Sequence, residues 1–162
     1  MLDWFKLAKQ ISNLVVHEIN QIERLFTVYA DLLRRVQQRE PDEVEIAAVA
    51  SVLHSFYNGL ENIFRVVAKN IDESVPSGAQ SHQALLTQIS QRTGNRSEVI
   101  SRESAKKLKG YLSFRHFYRH SYSFFIEWQE LSKLVYPLRG VWLQAKTELQ
   151  DFVNSLTVPR DE

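Results

Sequence analysis

The apolar residues of this chain return every three or four positions along most of its length. Because a helical turn takes 3.6 residues, this spacing places them on one face and predicts amphipathic α-helices. No segment sustains the alternation of apolar and polar residues that is typical of a strand. We therefore predict an all-α protein, an up-and-down bundle of four or five helices around one core.

Proline and turn residues divide this pattern into separate helices. Pro41 disfavours helix at the residue before it and suits the first turn of a new helix. Residues 72–79 have turn composition, and residues 93–97 form a polar loop in this interpretation. Pro137 either kinks the last helix or splits it in two. The predicted helices cover residues 7–36, 43–71, 81–90, 97 or 101 to about 116, and 128–156.

Composition is typical of one folded domain over residues 1–162. With 44% hydrophobic residues the chain can bury a core, which argues against disorder. The chain has no cysteine, so cysteine-based metal, redox and nucleophile sites are excluded. Its longest apolar run is far shorter than a membrane span, and its first ten residues mix acid and base. We therefore expect a cytoplasmic protein without a membrane segment.

Positive charge is concentrated in one stretch, although the whole chain carries only +1. Residues 106–120 contain three lysines, two arginines and no acidic residue, so this stretch carries +5 and the rest carries −4. A basic segment suits a phosphate backbone, and interleaved aromatic rings suit stacking on unpaired bases. The alternative is a solvated lysine face with the rings in the core. The residues concerned are Lys106, Lys107, Lys109, Tyr111, Phe114, Phe117, Tyr118 and Tyr122.

The same stretch has the residue types that RNA cleavage needs. Histidine exchanges protons near neutral pH, and arginine is a permanent cation whose fork of donors matches phosphate oxygens. A base can take the proton from a ribose 2′-hydroxyl, which attacks the adjacent phosphate while cationic donors stabilise the transition state. Arg115 and His120 lie five residues apart, about 140° around a helix, so they cannot share one helical face. Either the helix breaks between them or a second chain completes the site.

Arg115, His120 and Tyr122 form an R-x4-H-x-Y motif. With its flanking pattern, this motif resembles HEPN-domain proteins of the HepT-like ribonuclease toxin group. The resemblance covers roughly the whole domain and is densest over residues 57–128. The upstream positions that carry it are Tyr57, Leu60, Glu61, Ile63, Phe64, Ile71, Asp72, Pro76, Gly78, His82, Leu85 and Leu86.

The resemblance implies a HEPN-like helical bundle that forms a homodimer, with the R-x4-H elements of the two protomers meeting in a cleft. It implies metal-independent endoribonuclease activity without a cofactor, with Arg115 and His120 in the catalytic positions. It also implies an antitoxin, a small nucleotidyltransferase of the MNT type, which can transfer AMP to the position of Tyr122. The added phosphate would lie where substrate phosphate must bind, which gives inhibition a physical cause. The candidate RNA-binding residues beside this motif are Lys106, Lys107, Lys109, His116 and Arg119.

Glu61 has a structural and a functional interpretation, and His82 has a structural one. Glu61 is a candidate for orienting Arg115 or a catalytic histidine, but it also precedes Arg65 by four residues in the favourable order for a helix ion pair. The structural interpretation of His82 is a residue of the first helical turn, beside a capping Ser81.

The motif residues also have structural alternatives. His120 suits a capping or core histidine, Arg115 a surface ion pair, and Tyr122 a core tyrosine with its hydroxyl at the edge. His116 and His120 are four residues apart, but the segment lacks the glutamate of the zincin motif and no further ligand cluster stands out. We therefore predict no metal site.

Three functions follow from these observations. The leading hypothesis is a metal-independent endoribonuclease toxin that acts as a homodimer and is neutralised by an MNT-type nucleotidyltransferase. The alternative is a non-catalytic HEPN module that binds a nucleotide or a protein partner through the same cleft. The third is a helical dimerisation protein whose basic segment is simply solvated.

Overall fold

The computed structural model describes residues 2–158, apart from the side chains of Leu2 and Ser123. It confirms the all-α prediction, since the part it describes folds into a helical bundle without any strand. None of the helices within residues 2–158 combines the length and the apolar character that a membrane span requires. The α-helices are α1 (Leu2–Val28), α2 (Ala30–Gln38), α3 (Glu43–Val67), α4 (Ser81–Ile89), α5 (Arg102–His120), α6 (Trp128–Val135) and α7 (Leu138–Thr157).

The first predicted helix is divided at Tyr29 into α1 and α2. The backbone of Tyr29 leaves the helical region, with φ −103° and ψ 18°. Its amide still donates to the carbonyl of Leu25 at 3.2 Å, and its carbonyl accepts from Leu33 at 3.0 Å. The chain therefore bends here and continues, and no proline or glycine near this position predicts the bend.

The central helix, α3, packs against α1, α2, α4, α5 and α6. It begins with a capping box: the Asp42 side chain accepts from the Glu45 amide at 2.8 Å, and Glu45 accepts from the Asp42 amide at 3.3 Å. It ends in a π-helical turn over Ala68–Asp72, close to the predicted end. Its apolar side chains are buried on several sides, and Phe56 contacts the rings of Phe26, Tyr111 and Trp142.

A buried ion pair ties the end of α3 to the loop that follows α4. Arg96 donates from Nε and Nη2 to the two carboxylate oxygens of Asp72, each at 2.7 Å. It also donates to the backbone carbonyls of Gln88, Gln91 and Ser97. Because this single side chain joins three parts of the backbone, it fixes α4 relative to α3.

Ser101 is the serine that caps α5, since its side chain accepts from the Ser104 amide at 3.1 Å. The helix then runs unbroken to His120, beyond the predicted end near residue 116. Pro137 splits the last predicted helix into α6 and α7. The longer α5 decides the geometry of the R-x4-H element, because both residues of that element now belong to one helix.

Candidate active site

A cleft opens between α5 and the segment that leads into α4. Its volume is about 530 Å³, within the range of roughly 300–1,000 Å³ that is usual for small-molecule sites. No described residue that lines it is acidic, so nothing at its surface repels a phosphate. The lining residues are Gly78, Ala79, Gln80, His82, Gln83, Leu112, Ser113, Arg115, His116, Arg119 and His120.

Arg115 lies at the inner wall of this cleft and is almost entirely buried, with 6% of its side chain exposed. Its Nη1 donates to Oε2 of Glu61 at 2.9 Å, and its guanidinium lies 5.7 Å from the centre of the Tyr57 ring. Burial raises the pKa of the Tyr57 hydroxyl, so this side chain stays neutral beside the guanidinium of Arg115. The interpretation of Arg115 as a surface ion pair is therefore wrong, because its ion pair lies in the interior.

Glu61 holds three neighbours from one buried carboxylate. Besides Arg115, it contacts Nη2 of Arg65 at 2.7 Å and Nδ1 of His82 at 2.8 and 2.9 Å. Glu61 therefore forms both contacts that the sequence suggests. It pairs with Arg65 within α3 and with Arg115 on α5. The carboxylate thus links α3, α4 and α5 behind the cleft.

The contact with Glu61 defines the tautomer of His82. A carboxylate oxygen only accepts hydrogen bonds, so Nδ1 at 2.8–2.9 Å from both oxygens must carry the proton. The approach of Arg115 Nη2 to the same nitrogen, at 3.4 Å, is then between two donors and is not a hydrogen bond. The other ring nitrogen, Nε2, has no partner among the described residues, and the ring lines the cleft.

Nothing in the local sequence points to this position of His82. It lies 21 residues from Glu61 and has no metal-like or triad-like spacing. His82 does lie in the first turn of α4, but the expected Ser81 cap is wrong, since the N-cap is Gln80 and no side chain caps the helix. In the sequence, His82 stands out only as one of the positions that carry the family resemblance.

His116 and His120 lie on the outer side of α5, and both are exposed. Their ring centres are 4.6 Å apart. The helix does not break between Arg115 and His120, so the first of the two predicted arrangements is wrong. Both residues border one cleft, but Arg115 faces inward to α3 whereas His120 faces outward at the end of the helix. Within residues 2–158 there is no group of three or more His, Asp or Glu side chains suited to a metal ion.

Arg119 supplies positive charge that no acid offsets. It lines the cleft, is exposed, and forms no ion pair within the described part of the chain. The positive charge also affects His54, because burial and then the charges of Arg115 and Arg119 lower the pKa of its ring. Among the described residues that line the cleft, Arg119 is therefore the cation that is free to take a phosphate.

The three lysines of the basic segment lie outside the cleft, although all are exposed. Lys107 points toward α7, where its Nζ lies 3.3 Å from Oε1 of Gln144, and it also contacts Glu103 at 3.4 Å. Lys109 precedes His116 by two helical turns and so lies on the same side of α5. The structure thus places His116 and Arg119 in the cleft with the motif residues Arg115 and His120. Lys106, Lys107 and Lys109 do not line the cleft.

The aromatic residues of the segment divide between core and surface. Tyr111 is buried, and its hydroxyl donates to the carbonyl of Leu134 at 2.6 Å, while Phe114 and Tyr118 are half-buried. Tyr122 is 71% exposed, so its interpretation as a core residue is wrong. It stacks on Phe124 with the planes 7° apart. We call the exposed rings beside the end of α5 the aromatic patch, and it consists of Phe117, Tyr122, Phe124 and Phe125.

Comparison with known families gives a match over most of the chain. Residues 48–156 match the family model of HepT-like proteins, which is more than half of the chain. The matched range contains every residue that lines the cleft. Neither the curated proteins nor the solved structures include a significant match.

Proposed function

The chain belongs to the HepT-like family, and from this premise we propose that it is a metal-independent endoribonuclease toxin that cleaves RNA in the cleft between α4 and α5. The family is related to ribonuclease toxins. The observation that carries the proposal is a cleft whose described lining residues include no acid and which combines Arg119, the exposed edge of Arg115, and histidines from two helices. These are the groups that phosphate binding and proton transfer require.

In this proposal the two arginines bind the phosphate that is to be cleaved, and His120 exchanges a proton with the reacting oxygens. The ribose 2′-oxygen displaces the 5′-oxygen of the next nucleotide, which leaves a 2′,3′-cyclic phosphate and a free 5′-hydroxyl. Arg115 suits the role of a fixed donor, because Glu61 holds its guanidinium in place. Arg119 is exposed and suits the first contact with the RNA backbone.

We propose that the protein acts as a homodimer in which the two α5 helices face each other. The family resemblance implies this arrangement. It is supported by the aromatic patch beside His120, since exposed apolar groups that lie together are typical of interaction surfaces. It is also supported by the unbroken helix α5, on which Arg115 is buried while His120, about 140° further around the axis, is exposed. A phosphate held by Arg115 and Arg119 of one protomer then meets the outward-facing histidine of the other.

We propose that the toxin acts in the cytoplasm and is neutralised by an MNT-type nucleotidyltransferase that transfers AMP to Tyr122. The exposure of the Tyr122 ring, 71%, supports this role, because an acceptor hydroxyl must be within reach of another enzyme. An AMP group adds negative charge and bulk beside the end of α5. Both effects oppose the binding of an RNA phosphate.

Incubation of the purified, unmodified protein with single-stranded RNA in EDTA tests the proposal. We expect cleavage at an unchanged rate after metal removal, and product ends that carry the cyclic phosphate. Intact RNA, or cleavage that stops in EDTA and returns with added metal, would contradict the mechanism.

The alternative of a non-catalytic nucleotide-binding module is favoured by one observation, the neutralisation of Arg115 by a buried carboxylate. A guanidinium that is already paired loses part of its value for stabilising a transition state. This alternative predicts binding of AMP or ATP in calorimetry while RNA stays intact. The EDTA experiment separates the two functions directly.

A further inference from the structure

We propose that His82 is the general base of the reaction, with Nε2 as the atom that takes the proton from the ribose 2′-hydroxyl. This inference rests on the proposed function and adds a catalytic residue to it. It also makes Glu61 a positioning residue, whose carboxylate acts on the substrate through His82 as well as through Arg115.

The first argument is the tautomer. Nδ1 of His82 donates to Glu61, so the lone pair of the neutral ring is on Nε2, the nitrogen that has no partner among the described residues. A base needs such an unoccupied lone pair within reach of the substrate. A buried carboxylate that accepts from Nδ1–H is the arrangement by which the Ser-His-Asp triad orients its base.

The second argument is rigidity. The carboxylate of Glu61 is 2% exposed and is held in addition by Arg65 and Arg115. The helix that carries His82 is fixed by the buried pair of Arg96 and Asp72 at its far end. A base held from both sides loses little freedom when the substrate binds, which lowers the barrier.

The third argument is the contrast with the other histidines of the cleft. His116 and His120 are exposed, project from one helix, and have no carboxylate partner in the part of the chain that the structure describes. Their tautomers are therefore not set by the protein. This freedom suits a group that delivers a proton to the leaving oxygen, and it leaves His82 as the histidine with a fixed lone pair.

The step balances without any further reactant. The proton of the 2′-hydroxyl moves to Nε2 of His82 while the 2′-oxygen forms a bond to phosphorus. The bond from phosphorus to the 5′-oxygen breaks, and its electron pair stays on that oxygen, which takes a proton from protonated His120. The products are the 2′,3′-cyclic phosphate and the 5′-hydroxyl, and the two histidines exchange their protons with water afterwards.

Two substrates distinguish a base from an acid. A dinucleotide has an alkoxide leaving group that needs a proton, whereas a uridine 3′-aryl phosphate has a phenolate leaving group that does not. We expect His82→Ala to lower kcat on both substrates by about 100-fold to 10,000-fold, the usual contribution of general acid–base catalysis. We expect His120→Ala to lower kcat on the dinucleotide far more than on the aryl ester. Added imidazole should restore part of the activity of His82→Ala.

Three results would overturn the proposal. The first is activity of His82→Ala within twofold of the wild type. The second is a loss that spares the aryl ester, which would make His82 the acid. The third is a stably folded His82→Ala variant that has lost activity but is not rescued by imidazole, since an added base restores a proton transfer and not a structural contact.

A measurement on the wild-type protein keeps the inference testable without turnover. A long-range ¹H–¹⁵N correlation spectrum should show His82 as the Nδ1–H tautomer, and the Nε2–H tautomer would overturn the proposal. If the wild type cleaves neither substrate while the spectrum shows Nδ1–H, the proposed function has failed and the geometry of the pair stands. If the protein is a ribonuclease but His82 is not its base, the wild type and His82→Ala are both active.

Discussion

At the scale of single residues, the buried carboxylate of Glu61 organises the site. It satisfies two arginines and one histidine from three helices, so its loss leaves positive charge without a partner in the interior. Removing one partner of a buried ion pair typically costs about 3–5 kcal/mol. We therefore expect Glu61→Gln to lower the free energy of unfolding in urea by about 3 kcal/mol. Glu130→Gln is the matched control, since its pair with Lys133 is exposed, and an equal loss in both variants would contradict this account.

At the scale of elements, the carboxylate of Glu45 joins the two ends of the turn between α2 and α3 through Arg39 and the Asp42 amide. The hydrogen bond from Arg39, followed by the bond from the Asp42 amide, lowers the pKa of Glu45 from 4.5 to about 2. A carboxyl group with a lowered pKa in the folded state stabilises the fold above its unfolded pKa, and this stabilisation is lost as the pH falls toward 2. We expect the wild type to lose more stability between pH 7 and pH 2 than Glu45→Gln does. Parallel losses in urea titrations would contradict this expectation.

The sequence predicts the helices and two of their breaks, but it does not predict the bend at Tyr29 or the contact between Glu61 and His82. Periodicity predicts the helices, and Pro41 and Pro137 mark two breaks, because proline acts through its own backbone. The bend at Tyr29 has no such residue, so the sequence pattern gives no sign of it. The Arg115 and His120 pair was predicted from one motif, whereas the pairing of Glu61 with His82 depends on how α3 and α4 dock. Contacts of that kind are set by tertiary structure and leave no local pattern.

At the scale of the whole molecule, the proposed homodimer has a direct test. Arg115→Ala and His120→Ala are each expected to be inactive, and Glu61 keeps two other partners in the first variant. In a mixture, half of the dimers carry one copy of each variant, and one of their two shared sites is intact. We therefore expect about a quarter of the wild-type activity to return on mixing. No gain over the separate variants would show that each chain carries a complete site.

RNA cleavage by His120→Ala and by His17→Ala, measured with EDTA present, decides whether this cleft is the catalytic site. His17 is also exposed but lies on α1, away from the cleft, so its variant controls for the loss of a surface histidine. We expect His17→Ala to keep wild-type kcat/KM and His120→Ala to lose at least about 100-fold, with equal helical content by circular dichroism. Wild-type cleavage by His120→Ala would contradict the assignment of catalysis to this cleft.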